Sequence, residues 1–334
     1  MVKKYVISKI DLIIFIFFII APLPVVSAAE ESFPFTDVNP DASYAAALAE
    51  QYEIGLIGGM GDGTFRPQER VTYAMLAQIL CNVTDGYDPA DWTSREAYFN
   101  PDVIETWYES PAGFVSQYDL IETENWTDTV VCSDTIRAFY RLGLRTEMIG
   151  EEELSSYGID PSEIYDSEKD LKNAEIWAFS KGILREGEYK PDAPVTRAEL
   201  SELLARVWPL MDDHRKITRI CLIDSSEITS IRIQNGNTGE SVRYSDPQII
   251  SEAVGYLNDF RCSVKQPLRP GGGYGYNLSL YTRNSEWIYS FTFFDAIQGM
   301  EMYRPQTDMF GQIYESTEIV FPEDWFDTMI QQGR

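Results

Sequence analysis

The feature that most constrains this chain is a pattern that returns between residues 33 and 211 at a step of roughly 60 residues, the mark of a repeat architecture. The first unit reads Phe35-Thr36-Asp37-Val38, then Tyr44, Gly55, the string Gly61-Asp62-Gly63-Thr64-Phe65-Arg66-Pro67, and Val71-Thr72. A second unit opens at Phe99, places Tyr108 at the same nine-residue step, and sets Asp119 in the slot of Gly55. A third sets Leu171 eleven residues before Gly182, and Pro191 precedes Val195 by four as Pro67 precedes Val71. The units occupy 33–86, 97–146 and 157–211.

Each unit reads as helix, loop, helix. In the first, Tyr44, Leu48 and Tyr52 with Ala45 and Ala49 make an apolar stripe at helical spacing. Gly55 ends that helix, since a left-handed cap favours glycine. Residues 58–67 are turn-like and glycine-dense. Leu76, Ile79, Leu80 and Val83 line the second helix, matched by Ile136, Phe139 and Tyr140, and by Leu200, Leu203, Leu204 and Val207. Helix pairs this short cannot bury such faces alone, so the units must pack on one another.

Phe-Thr-Asp-Val, Gly-Asp-Gly-Thr-Phe-Arg-Pro and Val195-Thr196-Arg197-Ala198-Glu199 resemble the hallmarks of the S-layer homology (SLH) repeat. The resemblance implies a mostly α pseudo-trimer. Its grooves bind secondary cell wall polysaccharides, often pyruvylated, and hold a protein non-covalently at a Gram-positive-type cell surface. It also implies that a working groove combines Arg197 with the glycine loop of another copy, making Gly61, Asp62 and Gly63 candidates; Asp62 also reads as a plain turn residue. The hallmarks are scattered. Tyr73 and Met75 take the arginine and glutamate slots of the first copy, and Ser133 and Thr135 are read into those of the second. The third loop has decayed to Arg185-Glu186-Gly187-Glu188-Tyr189-Lys190-Pro191.

The Thr-Arg-Ala-Glu string also has a local reading. Thr196 and Glu199, three apart ahead of an apolar run, form a capping box, and Thr72 is placed to cap the first unit's second helix. Arg197 puts a cation where the helix dipole disfavours one. It reads either as a clamp for a carboxylate or phosphate or as a solvated surface arginine. Trp107 and Trp177 read either as sugar-stacking rings or as core.

Composition bounds the function class. With 27 basic and 53 acidic residues the net charge is -26, which repels nucleic acid and anionic lipid. Aromatic content of 13% argues for a folded chain. Lys3 and Lys4, an apolar run over 12–21 and Val26-Ser27-Ala28 read as a signal peptide, residues 1–28. An uncleaved anchor is the weaker alternative, because the run is shorter than the roughly 20 residues that span a bilayer. No other segment is apolar enough to span one. Cys81, Cys132, Cys221 and Cys262 show no zinc spacing, and His214 is the sole histidine, so no metal or cofactor is expected. A Cys221–Cys262 disulfide and buried free thiols both remain open.

Beyond a boundary at 209–215 the signal turns to strands over 217–223, 228–233, 276–281 and 287–293. Asn235-Gly236-Asn237 reads as a turn. Asp246-Pro247 opens a helix, with Ile250, Ala253, Val254 and Leu257 on its buried face. A last helix follows Pro322. Residues 216–334 are thus expected to form a small α+β domain with one antiparallel sheet. The Gly271-Gly272-Gly273 run lacks the lysine of a phosphate loop. Tyr274, Tyr276, Tyr281 and Tyr289 read as an exposed binding face or as half core. With no catalytic constellation visible, the chain reads as a secreted, non-enzymatic protein of the cell wall surface with a C-terminal domain of unassigned partner. The rivals are an exported enzyme acting on wall polymer and a spacer whose repeats no longer bind glycan.

Overall fold

Burying the apolar stripes read above takes a cycle of helices rather than a stack. The computed structural model describes residues 33–92, 106–261, 263–264, 274–284, 286–294, 299–305, 312–315, 321–322 and 324–333. Phe35–Arg334 is one compact unit. The signal segment, Phe99, Cys262 and residues 271–273 lie outside the described residues.

The helical half contains α1 (Ala45–Glu53), α2 (Tyr73–Val83), α3 (Glu109–Gln117), α4 (Cys132–Arg145), α5 (Glu151–Ser156), α6 (Asp170–Ser180) and α7 (Arg197–Met211). The second helix of each pair packs on the first helix of the next: α2 on α3, α4 on α6, and α7 back on α1. The cycle closes at its centre through three backbone hydrogen bonds. Val130 N donates to Val71 O (2.9 Å), Val195 N to Val130 O (3.1 Å) and Val71 N to Val195 O (2.8 Å).

A helix start leaves its first N–H groups without intrahelical acceptors. Here each is met by a loop from a different pair. Arg197 N and Ala198 N donate to Glu69 O and Pro67 O, Tyr73 N and Ala74 N to Asp128 O and Trp126 O, and Cys132 N and Ser133 N to Ala193 O and Pro191 O. Thr72 also accepts from Met75 N, and Thr196 and Glu199 make the reciprocal capping box. The first helices end alike, with positive φ at Gly55 (77°), Asp119 (52°) and Gly182 (68°).

Two packing details differ from the sequence reading. Tyr52 is exposed, and α1 instead turns Gln51 inward. Its amide donates to Ser201 O (2.9 Å) and accepts from Ser201 Oγ (2.8 Å), so a satisfied polar pair joins α1 to α7. The valine ring also sets the register of α4. Thr135, Ala138, Phe139 and Leu142 are the buried counterparts of Leu76, Ile79, Leu80 and Val83. Cys132 and Asp134, not Ser133 and Thr135, therefore hold the arginine and glutamate slots.

The remaining elements are β1 (Ser230–Asn235), β2 (Ser241–Tyr244), α8 (Pro247–Asp259), β3 (Ser263–Val264), β4 (Tyr276–Tyr281), β5 (Trp287–Phe294), β6 (Gly299–Tyr303), β7 (Gln312–Glu315) and α9 (Trp325–Gln332). They make an antiparallel sheet of order β2-β1-β4-β5-β6-β7-β3, so the chain is an α+β mix. Asp246 caps α8 by accepting from Gln248 N, with Pro247 at the first helical position. Residues 217–223 are not a strand. Ile217, Ile220 and Ile223 are buried, and among the described residues the stretch pairs only through an isolated antiparallel bridge of Arg219 with Arg261. Thr218 N and Arg219 N donate to Arg145 O, and the Asn258 amide exchanges two hydrogen bonds with Ile223.

One face of the sheet is mostly apolar. Ile231, Ile233, Leu278, Leu280, Phe291, Met300, Met302 and Tyr314 lie on it. Part is covered by α9, where Phe326 stacks on Tyr276 (4.7 Å) and packs on Phe293 (5.0 Å). Elsewhere it meets the end of α3: Gln117 Nε2 donates to Met302 O (3.2 Å) and the Tyr314 hydroxyl to Tyr118 (3.2 Å). Of the tyrosines considered for a binding face, Tyr276 and Tyr289 are thus on the packed side, and Tyr281 is on the other.

Candidate functional site

Because the backbone N–H groups of Arg197 and Ala198 are spent on the 67–69 loop, the start of α7 offers no free amides to an anion. The Arg197 side chain instead runs beneath the loop of the first pair. Nε donates to Phe65 O (2.7 Å) and Nη2 to Gly58 O (2.6 Å), and the guanidinium lies 4.4 Å over the Phe65 ring. The residue is 7% exposed and forms no ion pair among the described residues. Burial lowers its pKa from the usual arginine value, with Glu69 and Asp37 acting the other way. A buried guanidinium whose hydrogen bonds go to neutral carbonyls, with carboxylates acting only from a distance, is short of charge compensation.

This arginine sits in a groove of about 410 Å³. The wall is Gly58, Gly59 and Met60 of the loop, and Met75, Gln78 and Asn82 of α2. Gln78 donates to Asn82 (2.8 Å), which in turn donates to Leu56 O (3.0 Å). Trp107, 61% exposed, stands on the rim against Tyr108. Trp177 by contrast is fully buried in the core against Tyr140.

Gly61, Asp62 and Gly63 do not line this groove. They make the loop tip, with Gly61 and Gly63 at φ near 80°. Asp62 accepts from Thr64 N and Thr64 Oγ1 and pairs with Arg66 (3.0 Å), which lowers its carboxyl to about 2. The groove's share of the loop is the preceding Gly58-Gly59. A Cβ on Gly59 would collide with the Phe35 ring and come within 2.9 Å of Thr64 O. Two adjacent glycines where one suffices for a turn were the available signal.

The equivalent places around the ring carry different chemistry. At Tyr73 the hydroxyl donates to Asp134, which also pairs with Arg137, while Arg141 is held between Asp170 (2.6 Å) and Glu122 (2.8 Å). At Cys132 a groove of about 430 Å³ carries Glu199, Glu202 and Arg206, with no buried cation in the arginine slot. The thiol there is pushed up to about 11 by burial.

A separate cavity of about 350 Å³ lies between α4 and the sheet. Its floor is a charge cluster in which Asp119 pairs with Arg304 and Arg145 and accepts from the Tyr289 hydroxyl (3.1 Å). Burial would raise the Asp119 pKa, but Arg304 and Arg145 outweigh it and hold the carboxyl below its usual value. One carboxylate thus faces two guanidiniums, and the cluster joins the helical half to the sheet. Cys81 and Cys221 are buried free thiols. His214 is exposed. Among the described residues no cluster of His, Cys, Asp or Glu is disposed to hold a metal, and no helix is long and apolar enough to cross a membrane.

Against protein-family models, residues 34–74 match the S-layer homology domain. That stretch is α1, its loop and the start of α2, and it includes the Gly58-Gly59 wall. A domain of this kind marks association with a cell surface or wall, and such domains typically bind cell wall polysaccharide. No curated protein matches the chain.

Proposed function

We propose that residues 33–86, 97–146 and 157–211 are three SLH repeats arranged as a pseudo-trimer, and that the groove at Arg197 holds an acidic group of a secondary cell wall polysaccharide. The supporting observation is the buried Arg197 guanidinium, which has carbonyl partners but no ion pair among the described residues. A carboxylate entering beside it, such as a pyruvyl acetal, would supply the missing charge with a short charge-assisted hydrogen bond. Trp107 would offer its exposed ring to the sugar face. The cycle of valine hydrogen bonds and the three matched loop-to-helix contacts support the threefold reading. Only one of the three places carries the arginine, so one groove per chain is expected to bind. In this reading residues 1–28 are an export signal, and residues 216–334 are a non-catalytic accessory domain.

A second reading has its own support: both Arg197 donors named above are engaged structurally, as a spacer with retired grooves would have them. Co-sedimentation of the mature protein with walls carrying or stripped of secondary polysaccharide separates the two. Polymer-dependent pelleting that falls at least tenfold in Trp107→Ala, with unchanged melting, supports the anchor. Wild-type protein left in the supernatant with both wall preparations means the repeats are scaffold.

A further inference from the structure

The face of the sheet opposite the apolar one is polar across five strands. Cross-strand neighbours share a face, so one row reads Arg243, Arg232, Ser279, Ser290, Tyr303 and the next reads Ser241, Gln234, Asn277, Thr292, Glu301. At about 4.8 Å per strand each row is roughly 19 Å long. Its centre is a hydroxyl–amide lattice. Asn277 donates to Ser290 Oγ (2.8 Å) and Thr292 Oγ1 (3.1 Å) and accepts from Ser279 Oγ (2.9 Å).

At one end two arginines stand directly opposite each other, Arg232 on β1 and Arg243 on β2. Like charges so placed destabilise a sheet. Both are exposed, and neither forms an ion pair among the described residues, in a chain whose acids outnumber its bases 53 to 27. Their hydrogen bonds go to hydroxyls. Arg243 donates to Ser230 Oγ (2.8 Å) with its guanidinium over the Tyr281 ring (4.5 Å), and Arg232 donates to Ser241 Oγ (3.4 Å). Among the described residues this pair of cations has no ion-pair partner and lies beside a field of hydroxyls.

We propose that this face is a second binding surface, distinct from the Arg197 groove, for a polysaccharide bearing carboxylates along its length. The forked guanidinium groups match planar carboxylates bidentately. Ser279 and Ser290 are buried, so it is the half-buried Gln234, Asn277 and Thr292 that present polar groups to neutral hydroxyls, with Tyr281 an aromatic surface beside Arg243. The argument for a carboxylated glycan rather than a phosphate polymer is the donor set: β1 and β4 spend their backbone amides on the ladder, so recognition falls to side chains, with none of the clustered amides of phosphate sites.

The probe is oligogalacturonate, titrated calorimetrically into the full chain and into Arg232→Gln/Arg243→Gln. Both side chains are exposed, and a melting temperature no lower than wild type checks the fold, since the variant removes a like-charge pair. The neutral comparison is a cellulose oligomer of equal length, and the phosphate comparison is polyphosphate. Supporting results are tighter binding of oligogalacturonate than of the neutral oligomer, a loss of ten- to a hundredfold in the double variant, and weakening with salt. The inference is overturned if the double variant binds oligogalacturonate like wild type, or if polyphosphate binds as tightly and suffers the same loss. It is also overturned if Arg197→Lys rather than the double variant abolishes binding, since the groove would then be the site.

Discussion

Arg197→Ala is expected to act first on stability. The guanidinium makes two hydrogen bonds to carbonyls, Phe65 O at 2.7 Å and Gly58 O at 2.6 Å. Bonds with one charged partner contribute roughly 1.5–3 kcal/mol each. Against that stands the cost of keeping an unpaired cation buried, which the alanine relieves. It also leaves the two carbonyls without their donors and removes the cation from over the Phe65 ring. The net loss works out at about 2–4 kcal/mol. At about 2–4 °C per kcal/mol for a chain of this size, the melting temperature should fall by roughly 5–15 °C. Arg197→Lys, which keeps the charge but cannot reach both carbonyls with one fork, should lose about half as much. Urea unfolding followed by tryptophan fluorescence measures both, and hydrogen exchange at residues 58–67 should report a loosened loop. An alanine variant within about 0.5 kcal/mol of wild type would show that the two carbonyl bonds hold nothing together. The same arithmetic warns that wall binding lost in Arg197→Ala mixes folding with recognition, which is why Trp107→Ala is the cleaner probe of the groove.

Three further outcomes can be checked. Asp119→Asn should cost about 3–5 kcal/mol at neutral pH, because it strips the counter-ion from Arg304 and Arg145. Since the folded pKa of Asp119 is depressed, its stabilisation is complete above the ordinary aspartate value near 3.9 and fades as pH falls through the lower folded value. The gap between wild type and variant in urea should therefore shrink in acid; a gap of constant size would contradict the assignment. Gly59→Ala should destabilise by about 1–3 kcal/mol through the collision with Phe35 and Thr64, and a neutral effect in thermal melts would mean the loop gives way freely. Peptide mapping after treatment with a charged thiol reagent at neutral pH should find Cys132 labelled before Cys81 and Cys221, because the last two are buried and burial raises Cys221 to about 12. The reverse order would place Cys221 nearer solvent than described.

The helical cycle was legible because its signals are local. An eleven-residue step put Asp119 in a glycine slot, and its φ of 52° is the left-handed cap that slot requires. Register in the second pair was lost at Val130-Val131-Cys132, where an apolar N-cap, Val131, gives no side-chain marker for the helix start. Residues 217–223 alternate like a strand, but alternation reports burial and says nothing of a partner. Strands β6 and β7 carry no legible strand signal, since Gly299-Met300-Glu301-Met302 and Gln312-Ile313-Tyr314-Glu315 are too short and too mixed to stand out. At the groove, Arg197 announced itself by opposing the helix dipole. The glycine motif drew attention to the loop tip, whereas the wall came from two plainer glycines before it. Folding the loop back over an arginine more than a hundred residues away is a tertiary event that no local pattern records.

The ring of hydrogen bonds among Val71, Val130 and Val195 has a bearing on how such a chain can grow. A stack of repeats has free ends, and a copy can be gained or lost there while every other contact survives. A closed ring has no ends. A fourth pair would have to break a bond already made, and removing one pair leaves the other two with an unmatched donor and acceptor at the centre. The count of three is therefore a property of the backbone at its axis, indifferent to what the grooves contain. The segments at Tyr73 and Cys132 carry no arginine, yet the ring cannot close without them.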